Sequence, residues 1–71
     1  MGTKTEQGHE AIQRLLKENE RTYAWLARNI GLNESHVFRI AKGERPIMPA
    51  VAVRLARVFD CDPSVFLPVT P

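Results

Sequence analysis

The chain has 71 residues, of which 44% are hydrophobic and 25% are charged. This composition is that of a soluble globular domain, and the length leaves room for only one, so residues 1–71 are predicted to form a single domain with an ordered core at about 6–67. A chain this short buries only about 60% of its unfolded surface, which leaves no room for a deep substrate cleft. We therefore do not expect an enzyme.

The cysteine content and the hydropathy point to the cytoplasm. Cys61 is the only cysteine, so no internal disulfide can form. Residues 1–10 contain no apolar run of the kind found in a signal peptide. No apolar stretch approaches the roughly 20 residues that a membrane span requires. The sequence predicts a cytoplasmic protein without a membrane segment.

The net charge of +2 is unevenly distributed along the chain. Residues 21–57 hold seven basic and two acidic side chains, a net charge of +5. The segments on either side, 1–20 and 58–71, carry −1 and −2. A basic central segment suits a polyanion such as nucleic acid, although a solvated surface of Lys and Arg would give the same count.

The apolar spacing predicts helices throughout the chain, without strands. A first helix is expected from near Thr5 or Glu6 to Lys17 or Glu18, and a second follows a cap at Thr22 and ends at Gly31. The inward positions of these two helices recur at helical spacing. They are Ala11, Ile12, Leu15, Leu16, Leu26, Ala27 and Ile30.

A third helix is predicted from Glu34 to about Ala41, after a cap at Asn33. Pro49 fits the first turn of a fourth helix, and Asp62 with Pro63 starts a short fifth helix that Pro68 ends. The predicted inward positions of helices three to five again share one face each. They are Val37, Ile40 and Ala41, then Val51, Leu55, Val58 and Phe59, then Val65, Phe66 and Leu67.

Residues 23–40 carry the most informative pattern, two short helices joined by a glycine turn. Ala27 lies four residues before Gly31, and its small side chain lets the helices approach each other. The apolar positions have the spacing of a helix-turn-helix: Leu26, Ile30, Leu32, Val37 and Ile40. The second helix of such a unit fits the major groove of B-DNA, and the basic segment around it favours DNA binding over a helical hairpin without a nucleic-acid role.

Residues 9–67 resemble the lambda-repressor-like helix-turn-helix family, also called the Cro/C1 or XRE-type family. Residues 22–31, TYAWLARNIG, resemble that family's second helix, and residues 32–43, LNESHVFRIAKG, resemble its recognition helix. The resemblance implies a compact, all-α, five-helix domain in which helices 2 and 3 form the helix-turn-helix. Four segments are similar to the HigA-like antitoxin branch: 25–27, 43–49, 53–57 and 62–67.

Four outward residues of the third helix are the candidate base readers, namely Glu34, Ser35, Phe38 and Arg39. Arg39 can donate two hydrogen bonds to guanine O6 and N7, and Ser35 can bond to a base edge or a phosphate. Glu34 stands where many family members carry Gln, and it either accepts from the cytosine amino group or serves as a helix N-terminal charge. Phe38 contacts a thymine methyl group, meets another subunit, or packs on Trp25, the last being the default interpretation.

Phosphate contacts are expected from capping residues and basic side chains around the motif. They are Thr22, Tyr23, Arg28, Asn33, His36, Lys42 and Arg45. Tyr23 stands where family members often carry Gln, and its hydroxyl either reaches a phosphate or faces solvent. His36 either touches DNA or fills the helix edge. Arg54 and Arg57 are expected to face solvent.

No cofactor, metal or small-molecule ligand is predicted. His9, His36 and Cys61 have no ligand spacing, and the chain holds no glycine-rich phosphate loop and no nucleophile with a nearby base.

The leading functional prediction is a sequence-specific regulator of double-stranded DNA, a repressor that binds an inverted-repeat operator through helix 34–42 in the major groove. A homodimer, formed either in solution or only on DNA, would use the apolar residues Val65, Phe66, Leu67 and Val69. The alternative is an antitoxin that binds a protein toxin as well as its own operator. A third reading is an accessory factor that uses the fold only to bind protein.

Overall fold

A computed structural model describes residues 6–67, which fold into four α-helices followed by one 3₁₀ turn. The helices are α1 (Gly8–Glu18), α2 (Tyr23–Ile30), α3 (Glu34–Ala41) and α4 (Pro49–Phe59), and the 3₁₀ turn is Pro63–Val65. Helix α3 packs on α2 and α1, while α4 packs on α2 and on the 3₁₀ turn. Residues 6–67 contain no strand, so the prediction of an all-α fold is confirmed for this part of the chain.

Helix α1 begins later than the spacing predicts. Gln7 lies just outside the helix, and its backbone N–H donates to the Glu10 carboxylate at 2.9 Å, which fixes the first turn at Gly8. The predicted start at Glu6 is therefore wrong, and Thr5 lies outside the described residues. A Cβ on Gly8 would lie 2.2 Å from the Phe66 carbonyl oxygen, so only glycine lets the two segments meet here.

The caps around α2 and α3 are those that the sequence predicts. The Thr22 hydroxyl oxygen accepts from the Trp25 N–H at 3.1 Å, and the Asn33 side-chain oxygen accepts from the His36 N–H at 2.7 Å. Gly31 ends α2 in the left-handed conformation, with φ 74°. Arg54 is exposed, as expected, and its guanidinium also donates to the Ile30 carbonyl at 2.9 Å, at the C-terminal end of α2.

Helix α4 buries a different line of residues from the predicted one. Leu55 is buried as expected, but its buried neighbours are Ala52 and Ala56. The larger predicted residues are only partly buried beside this line, and they are Val51, Val58 and Phe59. The two alanines let the helix backbone approach the core, so the bulkier side chains flank the contact and do not fill it.

The predicted fifth helix is a single 3₁₀ turn. The Asp62 carboxylate caps it by accepting from the Ser64 N–H at 2.9 Å, and this bond lowers the pKa of Asp62. The Phe66 N–H then bonds back three residues to Pro63, which closes the turn and sends the Phe66 ring into the core, where it is 1% exposed. The predicted terminator, Pro68, lies outside the described residues.

The core is wholly apolar in residues 6–67, without a buried polar or charged side chain. The predicted inward residues of α2 and α3 are all buried. They are Leu26, Ala27, Ile30, Val37, Ile40 and Ala41. Helices α2 and α3 are therefore each held by an apolar side that packs in the core. The opposite side of α3 is exposed to solvent.

Candidate nucleic-acid interface

The exposed side of α3 carries the predicted outward residues. Because Val37, Ile40 and Ala41 are buried, the helix period turns the intervening positions to solvent. With the C-cap residue Lys42 and two residues of the following loop they form what we call the α3 surface. It comprises Glu34, Ser35, Phe38, Arg39, Lys42, Glu44 and Arg45, all of them exposed. Their exposure agrees with the predicted site, and their contact with DNA stays a prediction.

Arg39 lies at the centre of this surface. It shares one shallow recess with Glu34, Phe38 and Glu44, and a second recess with Glu44 and Arg45. A third recess joins it to the start of α3, where Asn33, Ser35 and His36 meet Arg45. The structure thus places Arg39 of the helix close to Arg45 of the loop. Arg39 is predicted to read a base and Arg45 to contact a phosphate.

Phe38 packs on Tyr23, not on Trp25. Its ring meets the Tyr23 ring edge-to-face, with 5.5 Å between centroids and 84° between planes, and the Lys42 ammonium lies 5.1 Å from the Phe38 centroid. The default interpretation of Phe38 is therefore wrong in its partner. Trp25, two residues further along α2, instead packs against Phe59, with 6.1 Å between the ring centroids. The Arg21 guanidinium lies over the Trp25 ring.

The predicted phosphate contacts fall into two groups. The first group contacts or lines the α3 surface, and it comprises Tyr23, Asn33, His36, Lys42 and Arg45. Thr22 and Arg28 lie at opposite ends of α2, both exposed. None of the three recesses described above includes either of them.

The family comparison identifies this arrangement. A family model described as Helix-turn-helix, HTH_3, matches residues 12–66. The chain belongs to this Cro/C1-type helix-turn-helix family. A search of curated proteins finds no match.

Three solved structures that are similar to this chain contain operator DNA. The P22 c2 repressor protein, in complex with a synthetic operator, has a TM-score of 0.80 and 19% identity, and the match covers 89% of this chain and 96% of that one. PA4674 of Pseudomonas aeruginosa, in complex with an 18 bp operator, has a TM-score of 0.77 and 27% identity over 92% of this chain and 71% of that one. Its complex with a 28 bp operator gives 0.77 and 26%, over 89% and 70%.

The sequence analysis did not predict that Glu44 is part of the α3 surface. The Glu44 N–H donates to the Arg39 carbonyl at 2.9 Å, which folds the loop back against the end of α3. Gly43 permits this reversal with φ 83°. The signal was present, since Glu44 stands between Gly43 and the predicted phosphate contact Arg45.

No cluster of three or more His, Cys, Asp or Glu side chains in residues 6–67 could hold a metal ion. Burial raises the pKa of the Cys61 thiol, which disfavours the nucleophilic thiolate. Among the helices described, none is long and apolar enough to cross a membrane.

Proposed function

We propose that this protein is a sequence-specific regulator that binds double-stranded DNA, and that it acts as a repressor in the cytoplasm from the single domain 1–71. The observation that carries the proposal is the two-sided character of α3, apolar toward the core and polar, aromatic and basic toward solvent. An α-helix with its side chains is about 10 to 12 Å in diameter, and the major groove is about 12 Å wide, so α3 can enter it. The similar protein PA4674 is solved in complex with its operator DNA, which supports DNA binding by this chain.

Base recognition is assigned to the exposed side of α3. Arg39 donates two hydrogen bonds to the O6 and N7 atoms of guanine, the pairing that its planar guanidinium matches. Glu34 accepts from the cytosine amino group, and Ser35 bonds to a neighbouring base edge or phosphate. Phe38, beside Arg39, provides the apolar part of this surface.

Backbone contacts surround these base contacts. Arg28, Lys42 and Arg45 supply the positive charge, and the Tyr23 hydroxyl can donate to a phosphate. The caps at Thr22 and Asn33 already accept through their side-chain oxygens, so the Thr22 hydroxyl proton and the Asn33 amide remain available as donors. His36 lies half-buried at the edge of α3 and is the last of the proposed contacts with the DNA backbone.

The repressor is proposed to bind an inverted repeat as a homodimer. Two half-sites would then lie about 34 Å apart, one helical turn of DNA. The predicted dimer face needs correction, because Phe66 is buried in its own chain and cannot contact a partner. Val65 and Leu67, which are half-buried, remain available, and Val69 lies outside the described residues.

Selection of bound sequences from random duplex DNA tests the proposal. We expect one enriched motif with two-fold symmetry, bound by a complex with the mass of two chains. Titration against salt should give a log–log slope of about −2.7 per chain, since three basic side chains each neutralise a phosphate at about −0.9. Recovery of no motif, together with a slope near zero, would refute DNA binding.

An antitoxin is the second candidate function. It is supported by the segment 43–49, which resembles the HigA-like branch and carries Met48, an apolar side chain that is 59% exposed. Purification of the chain from cells that express its neighbouring genes separates the two candidates. A toxin that co-purifies in stoichiometric amount, and is released by Met48→Asp, supports the antitoxin.

A further inference from the structure

Phe38 is an exposed aromatic side chain on the side of α3 proposed to face DNA. It is 43% exposed, whereas its neighbours on the inner side of the helix, Val37 and Ile40, are 1% and 2% exposed. Water around a phenyl ring is costly, so a group that covers the ring would stabilise the complex. The question is which chemical group covers it.

The ring is held in place before any ligand arrives. Tyr23 meets it edge-to-face and the Lys42 ammonium lies over it, so contacts from α2 and from the end of α3 restrict its rotation. A side chain that is already restrained loses little conformational entropy on binding. Phe38 therefore presents a fixed apolar surface and not a mobile one.

The surroundings of the ring favour DNA over a protein partner. Lys42, Glu34 and Glu44 carry charges around Phe38 on the α3 surface, and Lys and Glu are depleted in protein–protein interfaces. A small apolar group attached to a polyanion fits this combination better, because the cations can meet phosphates while the ring meets the apolar group.

We propose that Phe38 recognises the C5-methyl group of a pyrimidine in the major groove, an inference that rests on the proposed function. A phenyl ring cannot hydrogen-bond to the polar base edges, and thymine alone of the four bases presents a methyl group in that groove. The methyl group of 5-methylcytosine occupies the same place on its ring. Binding at this position is therefore expected to respond to cytosine methylation as well.

The test removes the methyl group from the DNA and leaves the protein unchanged. Each thymine of the selected duplex is replaced in turn by deoxyuridine, which keeps every hydrogen-bonding group. We expect one position in each half-site at which affinity falls about four-fold, as for the loss of one buried methyl group at about 0.8 kcal/mol. At that position, 5-methylcytosine should bind about four-fold more tightly than cytosine.

Two variants connect the effect to Phe38. In Phe38→Ala, thymine and uracil duplexes should bind equally, and cytosine methylation should have no effect. Val53→Ala is the matched control, because Val53 is 42% exposed on α4, away from the α3 surface, and it should retain the four-fold discrimination. Circular dichroism confirms that both variants are folded.

The outcomes separate this assignment from DNA binding itself. Tight binding that no single deoxyuridine weakens, or discrimination that survives in Phe38→Ala, overturns the methyl assignment and leaves the regulator intact. The same holds if Phe38→Ala prevents dimer formation without changing the thymine preference, since Phe38 then contacts a second subunit. If the selection recovers no motif, the proposed function fails first and the methyl assignment falls with it.

Discussion

Arg39 and Arg45 carry the same charge on the α3 surface, but they should differ in what they contact on DNA. Arg39 is in α3 itself and lines all three recesses on the exposed side of the helix. Arg45 lies beyond Gly43, in the loop that the Glu44 N–H ties back to the Arg39 carbonyl. Replacing each by alanine removes one exposed cation and leaves the buried core untouched.

The two losses have different magnitudes and different sequence dependence. A bidentate arginine–guanine pair contributes about 1 to 3 kcal/mol of discrimination, so Arg39→Ala should weaken the selected site by about 5- to 150-fold and abolish the preference at one base pair. A phosphate contact carries no sequence information. Arg45→Ala should therefore weaken all duplexes by a similar factor and reduce the salt slope by about 0.9.

Binding titrations of both variants, on the selected duplex and on its single-base changes at several salt concentrations, measure the difference. Arg57→Ala on α4 provides an arginine control that is exposed and is not part of the α3 surface. If Arg45→Ala changes the base preference while Arg39→Ala weakens every duplex equally, the proposed docking of α3 is incorrect, because the loop and not the helix then faces the base edges.

Four further changes test the fold and the electrostatics. Gly8→Ala should lower the melting temperature, since its Cβ would lie 2.2 Å from the Phe66 backbone and overpacking costs about 1 to 3 kcal/mol; an unchanged melting temperature would show that the two segments move apart freely. Ala27→Leu should destabilise by a similar amount, because Ala27 is 4% exposed where α2 packs in the core, and full stability of this variant would contradict that packing. Met48→Ser should raise stability by about 0.5 to 2 kcal/mol in chemical denaturation, because Met48 holds the N-cap position of α4 without a side-chain hydrogen bond; a loss of stability would mean that the methionine packs in a way its exposure does not indicate. Glu44→Gln should strengthen binding to all duplexes by about 0.2 to 1 kcal/mol through the loss of a carboxylate from the α3 surface, and weaker binding would indicate that Glu44 itself accepts from a base.

Local signals in the sequence were sufficient for the helix-turn-helix. Thr22, Gly31 and Asn33 act within four residues of themselves, through a cap or a left-handed turn, so their structural role can be inferred without knowing the rest of the chain. The buried face of α3 follows from helical spacing for the same reason. Because the buried face determines the exposed one, the outward residues of the candidate site were also predictable.

The contacts that the sequence did not predict join distant parts of the chain. Phe38 and Tyr23 are fifteen residues apart, and nothing in their spacing distinguishes Tyr23 from Trp25 as the aromatic partner. The burial of Phe66 depends on how a three-residue turn aims its ring, and the bond from Arg54 depends on where α4 crosses the end of α2. Such contacts follow from the packing angles between elements, which periodicity does not specify.

The position of α3 depends in part on α1, which carries none of the predicted DNA contacts. The Gln13 side-chain amide donates to the Ala41 carbonyl, and so provides a hydrogen bond for the last residue of α3. One turn earlier on α1, the His9 ring lies against Gly43, where an added Cβ would be only 3.1 Å from Nε2. The two contacts hold the end of α3 and the start of the loop that carries Glu44 and Arg45. Substitutions at these α1 positions should therefore affect DNA binding through the orientation of Arg39 and Arg45, without any contact of their own with the duplex.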